Sequence, residues 1–144
     1  MKINPKEIGI IITLCLVGFF LLNLGGIYYS KIQMAANRLQ FPQYDIYRAI
    51  VAFIFFIIGI LLEWRKIIAL FTRGVKINYP LLVFALLLVA ISVIPYITII
   101  NLMPPSPLQG IFCLTFESPY TRSALSMMGG VFVILSLFYE QTNT

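Results

Sequence analysis

Four stretches of the chain are apolar and carry no charge in their middle: about 8–29, 46–64, 80–102 and 119–140. A bilayer's hydrocarbon core takes roughly 17–25 mostly apolar residues as helix, so each stretch is long enough to span one. The pattern predicts an all-α fold, an integral membrane bundle of four transmembrane helices, with residues 1–144 as a single four-helix domain.

Start and stop signals frame these runs. Asp45 is placed to cap the second helix. Ser118-Pro119 puts a cap before a proline at the first helical position, and Asn78-Tyr79-Pro80 reads the same way for the third. That third run is expected to stop at Met103-Pro104-Pro105. Pro95 lies inside it and predicts a bend, with Ser92 or Thr98 satisfying the freed carbonyl. The first run is too long for the apolar segment of a signal peptide and has no A-x-A after it, so it is read as a retained span.

Between the second and third runs, residues 65–76 form a short basic segment. Trp64, Ile67, Ile68, Phe71 and Val75 share one helical face, and Arg65, Thr72, Arg73 and Lys76 share the other. Such a helix lies in the membrane interface. With Lys66, the basic residues Arg65, Arg73 and Lys76 are expected to anchor the inner surface; recognition of anionic lipid or of a partner is the sharper reading.

Helices in lipid associate through close packing, so small residues should mark their contacts. Cys15, Gly18, Leu22, Gly25 and Tyr29 form one stripe. Ala49, Ala52, Phe56, Gly59 and Glu63 form a second, and Ser123, Ser126, Gly130, Val133 and Leu137 a third. The alternating spacing of three and four is that of a left-handed bundle.

Composition sharpens the class. Hydrophobic residues make up 60% of the 144 and charged residues 10%, where soluble domains carry roughly a quarter charged. The net charge of +5 comes from basic residues at the ends of the apolar runs, so membrane lipids, not nucleic acid, are the expected partners. With four spans, Lys2, Lys6, Arg65, Lys66, Arg73 and Lys76 share one side, and Lys31, Arg38, Arg48 and Arg122 the other. Six against four predicts a multi-pass cell-membrane protein with both termini in the cytoplasm.

Candidate chemistry is sparse. No histidine is present, which excludes histidine-ligated haem, zinc and histidine general bases. Cys15 and Cys113 form no C-x-x-C and are read as free thiols. No ionisable residue falls near a span centre, where a proton relay or ion-coupled carrier would need one. No catalytic, cofactor-binding or metal-ligating residue is assigned, and no cofactor is expected. The outer side gathers Lys31, Arg38, Arg48, Arg122, Tyr47 and Tyr120, near Asp45, Tyr44 and Glu117. This rim could hold a lipid phosphate or a quinone headgroup, or be solvated, with Arg48 and Arg122 snorkelling. Ile111, Phe112, Leu114 and Phe116 put apolar side chains into a loop, a candidate partner surface.

These features predict a non-enzymatic accessory or stabilising subunit of a larger membrane complex. A homo-oligomeric transporter or channel is the alternative, and a lipid- or quinone-binding membrane protein or enzyme the third reading.

Overall fold

A computed structural model describes residues 5–73, 77–95 and 118–137. Within them the chain forms five helices: α1 (Pro5–Asn37), α2 (Phe41–Leu62), α3 (Trp64–Arg73), α4 (Tyr79–Val93) and α5 (Pro119–Leu137). Ile8–Asn37, Phe41–Leu62 and Pro119–Leu137 are long and apolar enough to cross a membrane, which marks the chain as a multi-pass membrane protein. The fourth apolar helix, α4, has 15 residues and is about 22 Å long, short of the roughly 30 Å of a hydrocarbon core.

Several boundaries differ from those the hydrophobic pattern predicts. Helix α1 runs 33 residues, continuing past Tyr29 through the polar stretch to Asn37. Lys31 and Asn37 are exposed on this extension, while Ile32 and Ala35 are buried. A tight turn follows, with Leu39 left-handed at φ 55°. Helix α2 then starts at Phe41 with Pro42 in its first turn, five residues earlier than expected. Asp45 is therefore not a cap but a residue inside the helix, and Gln40 precedes it with no side-chain cap. At its other end α2 stops at Leu62, and Trp64 opens the separate helix α3; residues 74–76 of the predicted interfacial segment lie outside the described residues.

The third run is the largest correction. Its helix does not bend at Pro95; it ends at Val93. Ile94 sits at φ −57°, ψ 132°, the extended conformation that a following proline imposes by clashing with the helical one. Residues 96–102 lie outside the described residues. At its start the helix is capped by Asn78, whose side chain accepts from the Leu81 N–H at 3.3 Å. The Asn78 N–H in turn donates to the Ser136 carbonyl at 2.7 Å, tying the start of α4 to the end of α5.

Helix α5 lies at the centre, packed against α2 on one side and α4 on the other. Small residues make both approaches. A Cβ at Gly59 would run into the Met127 carbonyl, and one at Gly130 into the Phe56 carbonyl. On the other face of α5, a Cβ at Gly129 would sit 2.6 Å from Val89 Cγ2. The buried Ser126 hydroxyl donates to the Ala52 carbonyl at 2.6 Å across the α2–α5 contact. Ala49 is half-buried beside it.

Helix α1 packs mainly on α2 and meets α5 through the Tyr29–Tyr120 ring pair at 5.8 Å. Gly25 is buried, with Phe55 and Ile54 within 4 Å of where its Cβ would stand. From Ile8 to Leu24 no residue is buried. An apolar groove of about 500 Å³ separates α1 from α5, lined by Leu22, Gly25, Tyr29, Val51, Phe55 and Met127 among others.

Candidate functional site

The most polar point in the packed interior lies where α4 stops, at the end of the molecule that carries the α1–α2 turn. Pro95 has turned the Ile94 carbonyl out of the helical ladder. Arg122 Nη1 donates to it at 2.8 Å, and Arg48 Nη2 donates to it at 3.2 Å. Arg122 projects from the first turn of α5, and Arg48 from the third turn of α2. Two guanidinium groups therefore close the C-terminal end of α4, where the helix dipole is negative.

Both arginines are buried, at 6% exposure for Arg48 and 2% for Arg122. They do not snorkel to a solvated rim. Their aliphatic stems are enclosed by the α2–α4–α5 packing, and the guanidinium groups point inward to the broken helix end. Arg48 also pairs with Asp45 one turn earlier: Nη2 and Oδ1 are 3.2 Å apart. The Tyr44 ring lies 5.5 Å from the Arg48 guanidinium carbon. The buried Nε of Arg48 has no acceptor among the described residues.

The remaining residues of the predicted rim separate into different places. Lys31 is exposed; its ammonium lies over Tyr28 at 4.8 Å and over Tyr47 at 5.8 Å, and these two rings pack at 6.0 Å on the α1–α2 seam. Tyr120 is exposed and packs against Tyr29 at 5.8 Å, at the mouth of the apolar groove. Arg38 is exposed in the turn after α1. Glu117, Cys113 and the apolar loop residues Ile111, Phe112, Leu114 and Phe116 lie outside the described residues.

At the opposite end, Arg65 is exposed against Trp64, and Lys66 pairs with Glu63 at 3.0 Å. Lys76 lies outside the described residues, as does the Arg73 side chain. Among the described residues no cluster of three His, Cys, Asp or Glu side chains is placed to hold a metal ion.

Two members of the arginine centre escape a reading of the sequence as runs. The Ile94 carbonyl is a backbone group, signalled only by the proline after it. The Asp45–Arg48 pair has the i,i+3 spacing of a helical ion pair, which a loop assignment for Asp45 conceals. No protein-family model, curated protein or solved structure matches the chain.

Proposed function

We propose that the chain is a non-enzymatic, four-span accessory subunit of a larger membrane complex, with both termini in the cytoplasm, and that α1 is the helix that docks. The single observation that carries this reading is the packing of α1. It has 33 residues and a strongly apolar first half, yet nothing from Ile8 to Leu24 is buried. In the membrane window of α1 6% of residues are buried, against 28% in α2 and 39% in α5.

Glycine content supports the same reading. Glycine costs a helix about 1 kcal/mol relative to alanine, and close approach of another backbone offsets that cost. Gly25 has α2 against it. Gly18, seven residues earlier on the same face, would meet nothing within 4 Å of an added Cβ, and neither would Gly9. A partner helix seated on this continuation of the Gly25 face supplies the missing contact. Helix α4 serves as the fourth span, its short length met by local thinning of the bilayer.

The test is extraction in a mild detergent followed by native mass measurement. Different chains in fixed ratio with this one are expected, and Gly18→Phe is expected to release them without changing the stability of the isolated chain. A stable monomer with no co-purifying chain would sink the proposal. A whole multiple of this chain alone would move the reading to a homo-oligomer.

A further inference from the structure

We propose that a second copy of this chain packs parallel along α1, on a seam centred on Asn23. This seam is not the Gly18–Gly25 face, and the pairing does not depend on the accessory-subunit reading.

Asn23 is out of place for a residue turned to lipid. The membrane-length stretch of α1 begins at Ile8. At 1.5 Å per residue, Asn23 stands about 22 Å along a hydrocarbon core of roughly 30 Å. Its side chain is exposed there. One amide N–H donates to the Phe19 carbonyl at 2.8 Å, within the same helix. A primary amide has a second N–H and a carbonyl oxygen that accepts. Neither of these has a partner among the described residues. Hydrocarbon supplies none, so both groups are costly to leave in it.

The residues in line with Asn23 form a seam that nothing in the chain covers. Ile12, Leu16, Phe19, Asn23, Gly26 and Ser30 follow one another at alternating steps of four and three, the repeat of a left-handed coiled coil. All six are exposed. A shallow groove of about 560 Å³ lies along the last four. A Cβ on Gly26 would meet nothing within 4 Å, so another backbone can come close there. Gly26-x-x-x-Ser30 has the small-residue spacing at which membrane helices approach each other. At about 100° per residue, the seam lies roughly a third of a turn from Gly25, which faces α2.

The chemistry of Asn23 selects a second copy as the occupant. With one orientation in the membrane, set by the Lys and Arg distribution, two copies run their α1 helices parallel. Each seam residue then stands opposite itself, and Asn23 meets Asn23 at the same depth. An amide is its own complement: the remaining N–H of each donates to the carbonyl oxygen of the other, and both unmet groups are satisfied together. Asparagine at such a position is how coiled coils fix register and copy number, at some cost in stability. No charged residue stands on the seam from Ile12 to Ser30, so no side chain is set against its own charge across the pair.

The full chain is tested in native membranes with Cys15 and Cys113 changed to serine and one cysteine introduced. Under mild oxidation Ser30→Cys is expected to give a covalent dimer, which needs Cα atoms within roughly 4.4–6.8 Å, and Gly18→Cys is not. Pairing strength is read by energy transfer between two labelled pools of the chain in lipid vesicles. Asn23→Ala is expected to weaken it about three- to twentyfold, the range of one interhelical hydrogen bond in a membrane. Asn23→Gln is expected to keep most of it and Gly26→Phe to abolish it. Neither position is packed inside the chain, so helix content and unfolding of the variants are expected to match the wild type. If Ser30→Cys gives no dimer, if Gly18→Cys cross-links as readily, or if Asn23→Ala pairs like the wild type, the proposal is overturned. Native mass separates it from the accessory-subunit reading. Other chains with paired copies of this one support both, and other chains with a single copy overturn the pairing alone. A dimer with no other chain supports the pairing and removes the accessory role.

Discussion

Replacing Gly59 by alanine tests the central packing claim, that α2 and α5 meet backbone to backbone. The new Cβ would land on the Met127 carbonyl oxygen, with the carbonyl carbon 2.9 Å away and Met127 Cα 3.1 Å away. All three atoms are backbone of a central helix, so no change of rotamer makes room. Carbon–oxygen contacts between helices need about 3.3–3.6 Å, so the two helices must part by something on the order of 1 Å. A gap of that size forfeits roughly a quarter to a half of each dispersion contact along the seam. It also stretches the 2.6 Å bond from Ser126 to the Ala52 carbonyl, of a kind worth about 0.6–1.7 kcal/mol in membrane proteins. Overpacking costs about 1–3 kcal/mol, and the better helix propensity of alanine offsets up to about 1 kcal/mol. The net expectation is a loss of about 1–2 kcal/mol. Reversible unfolding in mixed micelles, titrated with a denaturing detergent and followed by circular dichroism, measures it. Gly18→Ala is the control, since its Cβ meets nothing within 4 Å, and it is expected to be neutral or stabilising. If Gly59→Ala proves as stable as that control, the close approach of α2 and α5 is wrong.

Other expectations are narrower. Ser126→Ala removes the interhelical hydroxyl bond and should cost about 0.6–1.7 kcal/mol in the same titration; no loss would mean the bond is not formed. Asn78→Ala removes the cap of α4 and should cost about 0.5–2 kcal/mol, with hydrogen exchange rising first at Leu81 and Leu82. For orientation, Cys15 and Cys113 are changed to serine and single cysteines placed at Gln40 or Arg65, both exposed. An impermeant maleimide is expected to label the first on intact cells and the second only after permeabilisation. The reverse pattern would invert the topology.

How the chain folds was readable from its sequence to different depths. Apolar runs without charges report transfer into lipid, a property of each segment by itself, and three of the four runs coincide with helices long and apolar enough to cross a membrane. Small residues spaced by three and four report where two backbones can approach, and Ala52, Gly59, Ser126 and Gly130 lie at the α2–α5 contact. Hydropathy could not place helix ends. A helix continues past its apolar run where a neighbour packs against it, as α2 does against α1, whose Ile32 and Ala35 are buried.

The arginine centre was legible only as a set of residues on one side of the chain. Burial, convergence and pairing depend on three helices meeting. Arg48 and Arg122 are 74 positions apart, and nothing in either neighbourhood says that both turn inward. Pro95 contributes the acceptor: the proline forces Ile94 out of the helix and frees its carbonyl, to which both arginines donate. Sequence by itself determined which segments are apolar enough to enter a membrane, because that free energy is summed residue by residue. Tertiary structure alone decided which polar groups face one another, because a hydrogen bond needs both partners within about 3 Å and no local pattern encodes that distance.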